Sequence, residues 1–274
     1  MFDTYVLLTG GHTGLGLGVT KKLLKPGNKV GLIIRNEARK QQTIAAFDEA
    51  PKELVDNIDF FYADLSDQAQ VLMVAQEIVA AWPRVDRLFN NAAIFDPRNE
   101  RRTSKQGNEM HLEINVLAPL LLTRGLKSLL EKSADAKVIT TVTTGMGGRK
   151  LRSDQILDEN YKRGSTLYMQ SKQAVLHLMN AIADEMPSVK LLAVDPGPNK
   201  TKMTKQDALP AFMKLMVRFF FNDPKVGTQR IYDAGFDAKF SAENRVYITG
   251  DKIVLIKHGM TEQQKQALLA GIRS

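Results

Sequence analysis

The feature that most constrains this chain is a steady alternation of short apolar runs with longer helix-like segments. Residues 4–9 form a β-rich run that ends in glycines, and 14–25 read as a helix stopped near Pro26-Gly27. Further apolar runs at 29–34, 58–62, 84–89, 137–142, 189–194 and 245–248 read as strands. Helical patterns fall between them at 37–49, 66–81, 105–131 (bent near Pro119) and 165–185. Strands separated by helices join through crossovers, which builds a parallel sheet rather than hairpins. The runs are continuously apolar rather than alternating, so both sheet faces are covered by helices. The expectation is a three-layer α/β fold with a mostly seven-stranded parallel sheet. No repeat or composition break divides the 274 residues, so residues 1–274 are expected to form one domain.

Composition removes several kinds of chemistry. The chain has no cysteine, which excludes disulfides, thiolate metal sites and a catalytic thiol. His12, His111, His177 and His258 show no ligand spacing, so no metal site is expected. The net charge of +8 suits an anionic cofactor, but Lys and Arg are spread along the chain, which argues against nucleic-acid binding. No signal peptide and no membrane-spanning run are read, and a cytoplasmic location is expected.

The first strand runs into Thr9-Gly10-Gly11-His12-Thr13-Gly14-Leu15-Gly16. Glycines at a strand-to-helix turn let a pyrophosphate approach the backbone, and the following helix aims free N–H groups at it. A plain glycine turn is the alternative. The second strand ends Ile33-Ile34-Arg35-Asn36, without the carboxylate that would hold a ribose 2′-hydroxyl. An arginine there can pair with a 2′-phosphate, which favours NADP over NAD. Against this, Arg35 could be an ordinary surface residue, and Glu37 lies nearby.

With these motifs in order, the chain resembles the short-chain dehydrogenase/reductase family over nearly its whole length. The glycine motif TGxxxGxG matches Thr9 through Gly16. Asp64-Leu65 follows the third strand, and Asn90-Asn91-Ala92-Ala93 follows the fourth. Asn115 matches the asparagine of the long helix, and Tyr168-Met169-Gln170-Ser171-Lys172 matches YxxxK. Pro196-Gly197 and Thr201 match the turn after the sixth strand. The resemblance implies a Rossmann fold and a nicotinamide cofactor. It would lie against Gly10, His12, Thr13, Gly14, Leu15, Gly16, Arg35, Asn36, Asp64, Leu65, Asn91, Ala92, Pro196, Gly197 and Thr201, with Tyr168 and Lys172. Asp64 would contact the adenine. Arg35-Asn36 and the long 145–166 segment are similar to the retinol-dehydrogenase-like branch.

Tyr168 and Lys172 are four residues apart on a predicted helix, and so share a face. Bringing a phenol from pKa 10 to neutrality needs roughly 4 kcal/mol of phenolate stabilisation, which an ammonium and a cationic nicotinamide could supply. The resemblance implies that Tyr168 exchanges the proton and that Lys172 holds the nicotinamide ribose. Asn115 would hold a linking water. Aligned on the family's paired serines, Thr144 takes the catalytic place and Thr143 its neighbour. The expected reaction interconverts a ketone or aldehyde, of lipophilic character, and an alcohol. The threonine leaves open a second reading, a non-catalytic NADP-binding sensor or interaction protein.

A substrate lid is expected near 199–225, where Leu209, Phe212, Met213, Met216 and Phe219 follow helical spacing. A helix packed on the core, a subunit contact or a peripheral membrane helix are the alternatives. Residues 261–272 read as a polar helix without a function to assign. The resemblance suggests a homodimer or homotetramer.

Overall fold

The computed structural model describes residues 2–98, 100–144, 146–148, 150–200, 222–254 and 259–273. Thr201 and most of the expected lid lie outside them. The strands are β1 (Thr4–Thr9), β2 (Asn28–Ile34), β3 (Ile58–Tyr62), β4 (Arg87–Asn90), β5 (Lys137–Thr141), β6 (Lys190–Asp195), β7 (Val246–Thr249) and β8 (Lys252–Val254). They form one sheet in the order β3-β2-β1-β4-β5-β6-β7-β8. Seven strands are parallel, as expected. The eighth is an addition: β8 turns back at Gly250 and pairs antiparallel with β7. Its three residues are largely exposed and carry no buried apolar run, so the pattern that marks the other strands is missing there.

The longer helices are α1 (Gly14–Leu23), α2 (Glu37–Ala45), α3 (Gln68–Ala81), α4 (Ala118–Gly125), α5 (Gly164–Ala181), α6 (Pro224–Phe236) and α7 (Glu262–Leu269). Side chains along a strand point alternately to opposite faces. Val6 and Leu8 of β1 therefore meet Val19 and Leu23 of α1 and Ile231 of α6 in one core. Leu7 points the other way, into a larger core with Val71 and Ile78 of α3, Leu120 of α4 and Val175 of α5. Burying both faces explains why β1 carries apolar residues on both sides rather than alternating with polar ones.

The predicted 105–131 helix is shorter and broken. Residues 104–108 form a turn, closed by the Ser104 N–H to Asn108 carbonyl bond. Helix begins only at Met110, where the Glu109 carboxylate accepts the N–H groups of His111 and Leu112. A π-helical turn over Glu113–Leu117 follows, and Pro119 sits in the first turn of α4, where its missing donor costs nothing. The irregular turn therefore precedes the proline and is centred on Asn115. Helical π turns of this kind recur at functional sites.

Strand order reverses between β1 and β4. Crossovers leave β1 to one side and β4 to the other, opening a crevice at the carboxyl ends of the strands.

Candidate active site

A cleft of about 690 Å³ fills that crevice. Its floor is the turn from β1 into α1, with Gly10, His12, Thr13, Gly14, Leu15 and Gly16. Asn91 and Ala92 after β4, 141–144 at the end of β5, and Pro196 and Gly197 after β6 complete it. Gly16 is required by close approach. A Cβ there would lie 2.2 Å from the Gly10 carbonyl oxygen, so no side chain can separate the loop from the helix. Thr13, which precedes α1, makes no side-chain cap. The first-turn N–H groups are thus left for a ligand, and the helix dipole favours an anion there. His12 Nδ1 is buried without a hydrogen-bond partner. An uncapped helix start, a cradle with no room for a side chain and an orphaned polar atom together fit a dinucleotide pyrophosphate.

Tyr168 and Lys172 project from α5 into the same cleft. Lys172 is buried, and its Nζ donates to the Thr141 carbonyl at 2.8 Å. Burial holds its ammonium down at about 7. Burial also pushes the Tyr168 phenol up to about 12; a hydrogen bond with Thr143 works against this, and the Asp195 charge adds to it. The tyrosine ring is boxed edge-on by Phe95, at 5.0 Å between centroids, and by His111 at 6.4 Å.

The two threonines have different surroundings. Thr143 is the one close enough to the phenol to lower its pKa, and both residues line the cleft. Thr144 Oγ1 donates instead to Asp195 Oδ1 at 3.2 Å. Asp195 is buried and is further held by the Gly197 N–H at 2.7 Å and the Thr249 hydroxyl at 2.9 Å. Two adjacent residues of one type cannot be ordered by type. The turn after β5 decides which hydroxyl meets the phenol. Asn115 is also placed differently. Its side chain accepts from Ile94 N–H at 2.8 Å and donates to the Ile94 carbonyl and Ser171 Oγ, both at 3.0 Å. It clamps the strand-end backbone rather than lining the cleft.

At the far end, Arg35 and Leu65 line the cleft, as does Arg39, which sequence reasoning missed. Arg39 lies in the first turn of α2, four residues after Arg35, and a second basic residue this close behind the strand end could have signalled it. Arg35 Nε lies 3.3 Å from Asp64 Oδ2, whose other oxygen accepts from Ser66. Asn36 caps α2 through the Arg39 N–H at 3.1 Å and does not line the cleft. Glu37 is turned away: Tyr62 and Gln41 donate to its carboxylate. The two guanidinium groups hold the His12 imidazole below its ordinary pKa, after burial, which contributes most. Among the described residues no group of three or more His, Asp or Glu could hold a metal ion, and no helix is long and apolar enough to cross a membrane.

The family model for short chain dehydrogenases matches residues 4–210. Human "Dehydrogenase/reductase SDR family member 12" is 30% identical over 212 residues, which cover 75% of this chain. The match spans 63% of that protein's length. Human retinol dehydrogenase 14 is 26% identical over 84% of this chain and 73% of its own. A short chain dehydrogenase from Burkholderia cenocepacia J2315, solved in complex with NADP, superimposes with a TM-score of 0.70. It is 20% identical and covers 91% of this chain and 97% of its own. That likeness carries the fold. With retinol-dehydrogenase-like relatives and a family model matched over most of its length, the chain belongs to the short-chain dehydrogenase family.

Proposed function

We propose that this chain is an NADP-dependent oxidoreductase that interconverts a lipophilic ketone or aldehyde and the corresponding alcohol. The observation that carries the reading is the convergence of Tyr168, Lys172 and Thr143 at one end of a cleft whose floor is the glycine turn. When bound, the nicotinamide supplies the hydride to the carbonyl carbon, or takes it from the alcohol. The chain's own residues do the rest. Tyr168, with its phenol held protonated, gives its Oη proton to the carbonyl oxygen in the reducing direction. Thr143 offers a hydroxyl to the same oxygen and to the phenol. Lys172 lies 6.0 Å from the Tyr168 ring centre, where its charge stabilises the phenolate left behind.

NADP is favoured over NAD by Arg35 and Arg39 at the adenosine end, with Glu37 engaged elsewhere. Two guanidinium groups suit a phosphate dianion. Ile94, Phe95, Met169 and Pro198 give the substrate end apolar walls, which suits a lipophilic carbonyl. The lid near 199–225, a cytoplasmic location and a homodimer or homotetramer belong to the same reading. The test is loss of NADPH absorbance with retinaldehyde, decanal and cyclic ketones. Tyr168→Phe removes most turnover, on the order of 10³-fold, while NADPH still binds. Tight NADPH binding with no turnover on any carbonyl would favour the sensor reading instead.

A further inference from the structure

Residues 94–98 form a wall between the cleft and a second pocket of about 740 Å³, and Phe95 lines both. The Phe95 ring stands edge-on against Tyr168, so this wall packs directly on the ring that carries the phenol. Asn115 clamps one end of it through Ile94. Gly164, at the start of the helix that carries Tyr168, packs on its middle. A Cβ at Gly164 would lie 1.9 Å from the Asp96 carbonyl oxygen.

Arg98 and Arg102 pair with the Asp96 carboxylate at the exposed side of the wall, and a buried pair that the proposed reaction does not use supports its backbone. Glu109 is 2% exposed and His111 is 3% exposed. The Asp96 N–H donates to His111 Nε2 at 3.1 Å. A backbone N–H can only donate, so Nε2 carries no proton and the ring's proton sits on Nδ1. That proton is donated to Glu109 Oε1 at 2.8 Å. The other Glu109 oxygen accepts the N–H groups of His111 at 2.8 Å and Leu112 at 3.1 Å, which fixes the carboxylate in place.

We propose that Glu109 and His111 are positioning residues for Tyr168. Glu109 selects the His111 tautomer, the tautomer holds the Asp96 backbone, and the wall so held seats Phe95 against the phenol. The inference rests on Tyr168 acting as proposed above, and adds the device that places it.

Glu109→Gln tests it with almost no change of shape. The two backbone N–H groups retain the amide oxygen, and the amide NH₂ is left facing Nδ1. The ring proton then moves to Nε2 and opposes the Asp96 N–H. Histidine ¹⁵N spectra of the free protein should show His111 protonated on Nδ1 in the wild type and on Nε2 in Glu109→Gln. The resonance of ring-labelled Tyr168 should shift with it. With NADPH and decanal or retinaldehyde, kcat should fall about tenfold or more while the NADPH Kd stays within twofold. Adding His111→Gln, whose amide oxygen accepts from Asp96 whatever stands at 109, should restore part of the loss. Three results would each overturn the proposal: a wild-type His111 protonated on Nε2, an unmoved Tyr168 resonance, or a Glu109→Gln kcat within twofold of wild type. A wild type that reduces no carbonyl overturns the proposed function instead, and the two spectra still decide the positioning pair.

Discussion

Thr143 stands beside the Tyr168 phenol and works against the rise in its pKa, while its neighbour Thr144 turns to the buried carboxylate of Asp195. One hydroxyl is thus committed to the reacting end and the other to the wall behind it. Thr143→Ala should lower kcat for carbonyl reduction by about 10²–10³-fold, the usual cost of removing a donor from a developing oxyanion. Thr143→Ser keeps the hydroxyl and should retain activity. Thr144→Ala leaves Asp195 with Gly197 and Thr249 and should cost less than about tenfold. Steady-state kinetics on the three variants decide the matter; equal losses at 143 and 144 would refute the division.

Much of the frame was legible because it is written in periodicity. All seven parallel strands lie within a few residues of the apolar runs that announced them, since a strand covered on both faces carries apolar residues on both. The glycine turn was legible from its place between strand and helix, and Tyr168 with Lys172 from the ordered motifs of the family resemblance; the parallel topology brings them to one cleft. What was not legible depends on side-chain direction. Nothing in Thr143-Thr144 says which hydroxyl the turn delivers to the phenol. Asn115 has the expected place in the chain, yet its amide is consumed by Ile94, which only the folded loop reveals. Asp195 appeared in the sequence as an unremarked strand residue. Its role follows from Thr144, Gly197 and Thr249 meeting it from three separate segments.

The adenosine end supports a prediction about cofactor choice. Arg35 and Arg39 line the cleft together, and Arg35 pairs with Asp64 at 3.3 Å. Arg35→Ser combined with Arg39→Ser should weaken NADPH binding about 10–100-fold and NADH binding less than about threefold. Fluorescence titration of both cofactors reads the ratio. Equal weakening of the two would mean that the guanidinium groups do not meet a 2′-phosphate.

Gly16 allows a prediction at the pyrophosphate end. An added Cβ would fall within 3 Å of both the Gly10 carbonyl and the Asn91 amide nitrogen, so the turn must open. Gly16→Ala should therefore weaken NADPH and NADH alike, by about tenfold or more, because both share the pyrophosphate. It should also lower Tm. An unchanged affinity for either cofactor would show that the turn does not hold it.

Lys172 places function and stability in opposition. Its ammonium titrates near 10.4 in an unfolded chain, but burial holds it at about 7 in the folded protein. Between these values the unfolded chain binds more protons, so stability rises with pH across that window and levels off below 7. Lys172→Met fills the same space without a charge to desolvate, and loses only the bond to the Thr141 carbonyl. Without cofactor the variant should be more stable at pH 7 by roughly 1–3 kcal/mol, raising Tm by several degrees. Its advantage should be largest at and below pH 7 and should shrink as pH climbs towards 10. Turnover should fall by at least about 10²-fold. Thermal melts of both proteins from pH 6 to 10 test the sign. An advantage that grows with pH would show that burial does not lower the Lys172 pKa in the folded protein.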